Sequence, residues 1–233
     1  MFRLNCGISI LIKNISKRYR DIQCNIGHIL QLQPDWCVAL EALGKDEKSF
    51  YVFYNKNQGI FPGERSWSPP FSAEPVILDV NVRNTKPIGD YAMKLGKIDS
   101  GGTYAVNTGP APTVKTYKDV MEIAPLLRGI VQELIGKGKV AAANIVVLSP
   151  YKYSSDHLMI RDLVEKKGLL TTSTTDGGDK VRFGTIHSFK GLEADVVILC
   201  GIDGKLPGCS PATLFVGATR ARVMLQIIKH KDL

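Results

Sequence analysis

The chain has 233 residues, 44% of them apolar, with 30 Lys+Arg against 22 Asp+Glu for a net charge of +8. This length holds one large domain, or one domain and part of another, and the composition excludes a disordered or fibrous chain. The basic excess suits polyanionic partners such as nucleic acid, while five cysteines (6, 24, 37, 200, 209) without a C-x-x-C pair exclude a disulfide framework and point to a reducing cytoplasm.

Residues 1–33 carry apolar clusters and basic residues without a clean period. Their run Ile8 to Ile12 is too short to span a bilayer and is not followed by a small-residue cleavage site, so no membrane partner and no export are expected. Cys6, Cys24, His28 and Cys37 are spaced by 18, 4 and 9, which matches no usual ligand pattern, and no metal is assigned. After Pro34, residues 35–43 read as a short helix and Phe50 to Tyr54 as a strand running into a polar loop. Four prolines (62, 69, 70, 75) with Gly63 and several serines make residues 61–75 a linker.

Val76 to Val80 reads as a strand. Thr85 then caps a helix from Lys86 to Leu95, with Pro87 tolerated in its first turn, giving a first β-α unit. Val120, Ile123, Ala124, Leu127, Ile130, Val131 and Leu134 repeat at helical spacing and predict a helix over 119–136 with an apolar stripe. A buried strand at 144–149, a helix near 155–167, strands near 169–174 and 181–186 and a buried strand at 195–201 follow. Leu214, Gly217, Ala218 and Ala221 fall at helical spacing, and Val223 to Ile228 reads as the last strand. Alternation of this kind, with near-continuous Val/Ile/Leu strands, argues a mainly parallel sheet covered by helices on both faces. Strand ends should meet at one shared sheet edge, where ligands of open α/β folds sit.

Thr185-Ile-His-Ser-Phe-Lys-Gly-Leu-Glu193 resembles motif V of superfamily 1 helicases of the UvrD/Rep type, and the segment Leu214 to Arg222 resembles their motif VI. Upstream, Asn81-Val-Arg83-Asn-Thr85 resembles motif IV and Tyr51 to Gln58 resembles motif III, in the family's order. The resemblance covers roughly residues 35 to 233 and implies a RecA-like, P-loop NTPase-type three-layer α/β fold. It implies that residues 1–70 are the end of a first RecA-like lobe plus linker, and that 71–233 are the second lobe of a DNA helicase. In that family ATP with Mg²⁺ binds between two lobes while single-stranded nucleic acid crosses both. The resemblance makes Arg220 and Arg83 the arginines that approach the γ-phosphate, where a guanidinium fork stabilises charge spread over the oxygens. It places Gly191 and Glu193 at the ribose, with Arg220 also touching the nucleotide, and Gln58 as sensor of the γ-phosphate. Thr185, His187 and Lys190 would meet the nucleic-acid backbone. Trp67, Tyr54 and Phe61 are aromatic residues able to stack on bases, although packing is the commoner use of such side chains.

Two parts of a complete motor are not found. No Gly-Lys pair (44–45, 96–97, 136–137, 138–139, 204–205) is followed by a hydroxyl residue, so no G-x-x-x-x-G-K-[S/T] loop exists in this sequence. Before Pro34, Gly27-His-Ile-Leu-Gln31 stands where the family places its acidic Mg²⁺ motif. The interval from Asn84 to Thr185, about 100 residues, leaves no room for a large inserted subdomain. One expectation is thus a truncated or fragmentary helicase lobe, not an ATPase alone, that works only where a complementary first lobe is supplied. The other is a non-catalytic pseudo-helicase that binds single-stranded DNA or RNA, or docks on a partner. A third, an unrelated nucleotide-binding α/β enzyme, would need a glycine-rich loop after the first strand.

Overall fold

The computed structural model describes residues 8–13, 50–60, 75–99, 102–173, 179–206 and 208–233. The predicted helix at 35–43, most of the linker at 61–75, the cysteine–histidine group and the aromatic residues Phe61 and Trp67 lie outside these. The chain divides into two compact units at a boundary between Val82 and Arg83, with residues 101–105 grouped with the first unit.

In the first unit, β1 (Ile8–Lys13) pairs antiparallel with both β2 (Phe50–Asn55) and β3 (Pro75–Leu78), giving the order β2-β1-β3. The apolar run at the start of the sequence is therefore the central strand of a small sheet. A 3-10 turn, Lys56–Gln58, follows β2, and its first free N–H is taken by Asn55, whose Oδ1 accepts from Asn57 N at 2.9 Å.

The single strand expected at 76–80 is two. Asp79 interrupts it, and β4 (Val80–Thr85) leaves the three-stranded sheet to pair with β5 (Thr103–Val106). β4 leads directly into α1 (Lys86–Gly96), so the first β-α unit exists but its strand lies outside the main sheet. Thr85 holds the N-cap position without using its hydroxyl: Oγ1 is buried and has no hydrogen-bond partner among the described residues. A Cβ added at Gly109 would stand 2.8 Å from the Thr85 Cβ, so that side chain is covered by a backbone only glycine can bring so near.

The main sheet of the second unit has six strands in the order β6-β11-β10-β7-β9-β8, all pairs parallel. They are β6 (Thr113–Tyr117), β7 (Ile145–Ser149), β8 (Leu170–Thr171), β9 (Val181–Thr185), β10 (Ala194–Ile202) and β11 (Ala221–His230). On one face the stripe of α2 (Ile123–Gly136) buries Ile123, Leu127, Ile130, Val131 and Leu134 against Val147, Ile198 and Cys200, as its periodicity predicts. Asp119 starts this helix through a 3-10 turn, accepting from Met121 N at 2.8 Å. On the opposite face lies α4 (Pro211–Ala218), capped by Ser210, whose Oγ accepts from Thr213 N at 3.2 Å. Its Gly217 approaches so closely that a Cβ there would lie 3.0 Å from both Ile186 and Leu199, and α1 packs on α4 where Gly96 meets Phe215. Alternate residues of β10 thus serve opposite layers, which is the three-layer arrangement of a RecA-like fold.

Two predicted helices are shorter than their patterns suggest. Between 155 and 167 only α3 (Arg161–Glu165) is helical, because Met159 takes a left-handed φ of 49° and breaks the turn while Leu158 and Ile160 enter the core. Ala221, at helical spacing with Leu214, begins β11 instead, since α4 ends at Ala218 with Thr219 as its C-cap. Among the described residues, no helix is long and apolar enough to cross a membrane.

Gly201 gives a test of this packing. Its φ is +70° and a Cβ there would fall 2.2 Å from Leu158 Cδ2, which is fully buried. Gly201→Ala is expected to lower unfolding free energy by about 2–3 kcal/mol in denaturant titration, through backbone strain and overpacking together.

Candidate functional site

β10 and β11 begin in register, with Ala194 opposite Ala221. The residues just before them, Glu193 and Arg220, therefore stand side by side at the amino edge of the parallel sheet, where Ala194 N donates to Arg220 O at 3.1 Å. Arg83, from the end of β4, joins them: its Nε lies 3.0 Å from Glu193 Oε2. Arg222 Nε stands 3.7 Å from the other carboxylate oxygen, and its Nη1 is 3.7 Å from Asp195 Oδ1. Three segments more than a hundred residues apart at the extremes thus place three guanidinium groups around two carboxylates.

Arg220 is 0% exposed. Its Nε donates to Val216 O at 3.0 Å, Nη1 to Leu192 O at 3.4 Å and Nη2 to Thr219 Oγ1 at 3.0 Å, so the head is stowed against the end of α4. Gly191, with φ +94°, makes the turn that brings the Leu192 carbonyl to it. Burial first, then the neighbouring Arg83, pulls the Arg220 guanidinium down from its ordinary value to about 9, and Glu193 opposes that shift. A cation held this way is charged at neutral pH and costs stability, since its partners are dipoles rather than a carboxylate at contact distance.

The segment expected to meet nucleic acid starts elsewhere. β9 ends at Thr185 on the carboxyl edge, and the next strand starts at Ala194 on the amino edge, so residues 186–193 cross the sheet from one edge to the other. The strand-end residues do not all share one edge, as the sequence suggests: parallel strands force any direct connection to change edges. Thr185 and Ser188 lock the entry, with Ser188 N donating to Thr185 Oγ1 and Thr185 N to Ser188 Oγ, both at 3.1 Å. Ile186 and Phe189 are buried, which anchors the crossing and leaves half-buried His187 and Lys190 in the same turn. Gln58 is half-buried in the first unit, at the end of its 3-10 turn.

Asn84, Arg222 and Asp195 belong to the amino-edge cluster and were not singled out by sequence reasoning. Arg222 is signalled only by its place two residues after Arg220. Asn84 lies within the motif-like stretch Asn81 to Thr85, but nothing local marks its partners, which are 135 and 137 residues away. Among the described residues, no group of three His, Cys, Asp or Glu side chains is placed to hold a metal ion.

Residues 152–232 match the family model of the UvrD-like helicase C-terminal domain. Among solved structures, the fold is similar to the C-terminal domain of a possible DNA helicase from Lactobacillus plantarum, at 14% identity and TM-score 0.49, covering 64% of this chain and 87% of that one. The PRRSV helicase is similar at 19% identity and TM-score 0.34 over 65% of this chain, which spans only 23% of that protein. No curated protein matches the chain.

The burial of Arg220 makes a prediction about stability. In Arg220→Met the carbonyl of Val216 keeps its bond from Thr219 Oγ1 at 3.0 Å, and that of Leu192, a residue 51% exposed, can turn to water. Thermal unfolding of Arg220→Met is expected within about 1 kcal/mol of wild type or above it, because a buried cation is exchanged for an apolar chain of similar volume. A loss above about 3 kcal/mol would instead make the arginine a structural keystone.

Proposed function

We propose that this chain, whose residues 152–232 match the UvrD-like helicase C-terminal domain, works as the second lobe of a superfamily 1 ATP-dependent DNA helicase or translocase. The observation that carries this is the convergence of Arg83, Glu193 and Arg220 at one sheet edge, with Arg83 and Glu193 3.0 Å apart. These are the residues that would face a nucleoside triphosphate held on another lobe. Arg83 and Arg220 would stabilise the charge that develops on the γ-phosphoryl oxygens, and Glu193, positioned after Gly191, would accept from the ribose hydroxyls. Arg220 must rotate out of its pocket to do so, exchanging carbonyl partners for phosphate oxygens. ATP with Mg²⁺ would supply the phosphoryl chemistry, and its phosphate cradle and metal ligands would come from a complementary lobe, because no such loop is found in these 233 residues.

Thr185, His187 and Lys190 would bind the backbone of single-stranded DNA, or RNA, without reading sequence. The crossing formed by 186–193 gives this contact a direct mechanical link to the nucleotide edge. Gln58 would report the γ-phosphate from the first lobe's side. A second reading, a pseudo-helicase that binds single strands without hydrolysis, is favoured by one observation, the complete enclosure of Arg220 by protein groups. We place the protein in the cytoplasm on its cysteine pattern, five cysteines without a C-x-x-C pair.

The purified chain is expected to bind single-stranded DNA at low salt and to hydrolyse no ATP. Lys190→Ala should weaken that binding about three- to tenfold on every sequence and reduce the slope of log K against log salt by about 1, read by fluorescence anisotropy. Absence of binding at low salt would remove both readings. ATP turnover abolished by Arg220→Ala would show that the phosphate-binding parts are present after all.

A further inference from the structure

Thr219 to Ala221 connects the end of α4 to the start of β11, and all three of its carbonyls accept bonds from outside the segment. Ala194 N takes the middle one, Arg220 O, at 3.1 Å. One side chain takes the other two: Asn84 Nδ2 donates to Thr219 O at 3.1 Å and to Ala221 O at 2.6 Å. Arg220 N in turn donates to Gly217 O at 3.2 Å. The backbone on both sides of Arg220 is therefore held, and the clamp is 1% exposed, where each bond is stronger and its loss is costlier than in water.

The chemistry of the clamp is narrow. Bridging two carbonyls from one atom needs a group with two hydrogens on a short stem, which asparagine has. Serine offers one hydrogen, aspartate none, and glutamine reaches one carbon too far. Asn84 also follows Arg83 directly in the chain, so the same residue that brackets Arg220 fixes the α-carbon next to Arg83.

We propose that Asn84 is a positioning residue, which ties the Arg83 segment to the backbone of Arg220 so that the two guanidinium groups are presented to one polyphosphate at a constant spacing. Only side-chain rotation is then left for Arg220 to leave its pocket. The family match at 152–232 does not reach Asn84, and the proposal rests on the reading that Arg83 and Arg220 act on the same triphosphate.

The test uses the full chain labelled with ¹⁵N, with the arginine Nε–Hε signals assigned through Arg220→Lys and Arg83→Lys. In the wild type, Arg220 Nε–H should exchange with solvent at least about tenfold more slowly than that of half-exposed Arg222, since it is buried and bonded. Asn84→Leu, of similar volume but with no donor, should raise the Arg220 exchange rate by about tenfold, while the amides of Val197 and Leu199 keep their protection. Asn84→Ser, with one donor, should fall between. An unchanged Arg220 signal in both variants would overturn the proposal. Equal loss of protection in β10 would also overturn it, by making Asn84 a residue of the fold at large. Inorganic tripolyphosphate separates the underlying reading: it should move the Arg83 and Arg220 signals with one midpoint in the wild type and with two in Asn84→Ser. If it moves neither arginine, the shared-phosphate reading fails even where the exchange result stands.

Discussion

The parallel ladder between β10 and β11 begins at Ala194 and Ala221, and from that register the site follows. Because both strands run the same way and start together, the residues preceding them are delivered to one edge. Strand β10 is buried along its length, from Val196 to Ile202, with α2 on one side and α4 on the other, so the register cannot slip without moving apolar side chains to the wrong layer. The charged cluster is thereby fixed by apolar packing rather than by the attraction of its own charges. Those charges would not suffice, since Arg222 and Glu193 are half-exposed and pairs of that kind contribute little.

Within the cluster the electrostatics are deliberately unbalanced. Arg220 is enclosed with only dipoles at contact distance, a second guanidinium lies close by, and one carboxylate at Glu193 serves both Arg83 and Arg222. An isolated fold gains nothing from burying a cation this way. The proposed role at a triphosphate would account for that cost, because the same groups become favourable once an anion supplies the missing charge. The stability cost of Arg220 and the reach of Arg83 are two views of one arrangement.

The direct connection of β9 to β10 gives the second organising feature. A parallel sheet obliges it to pass from the carboxyl edge to the amino edge, and Ile186 and Phe189 bury themselves on the way. Thr185, His187 and Lys190 are consequently joined to Glu193 by a short segment that these two buried side chains anchor. The edge change arises from strand direction alone and needs no dedicated residue.

Much of this was legible in the sequence. The stripe of α2, the apolar runs of β7 and β10 and the order of the helicase-like motifs depend on spacing along the chain, and hydrophobic periodicity reports them directly. The local pattern misled at Met159, whose left-handed backbone ends a predicted helix, and at Asp79, where one expected strand is divided between two sheets. The identity of Arg83, Glu193 and Arg220 as candidate residues was readable because their motifs are contiguous. Their meeting at the amino edge, the stowing of Arg220 beneath Leu192 and the clamp of Asn84 were not readable, because each joins groups far apart in the chain, by as much as 137 residues, through contacts that leave no periodic trace. The sequence determined which layers form and which side chains carry charge; the direction of the strands and the register of β10 with β11 decided which of those charges share an edge.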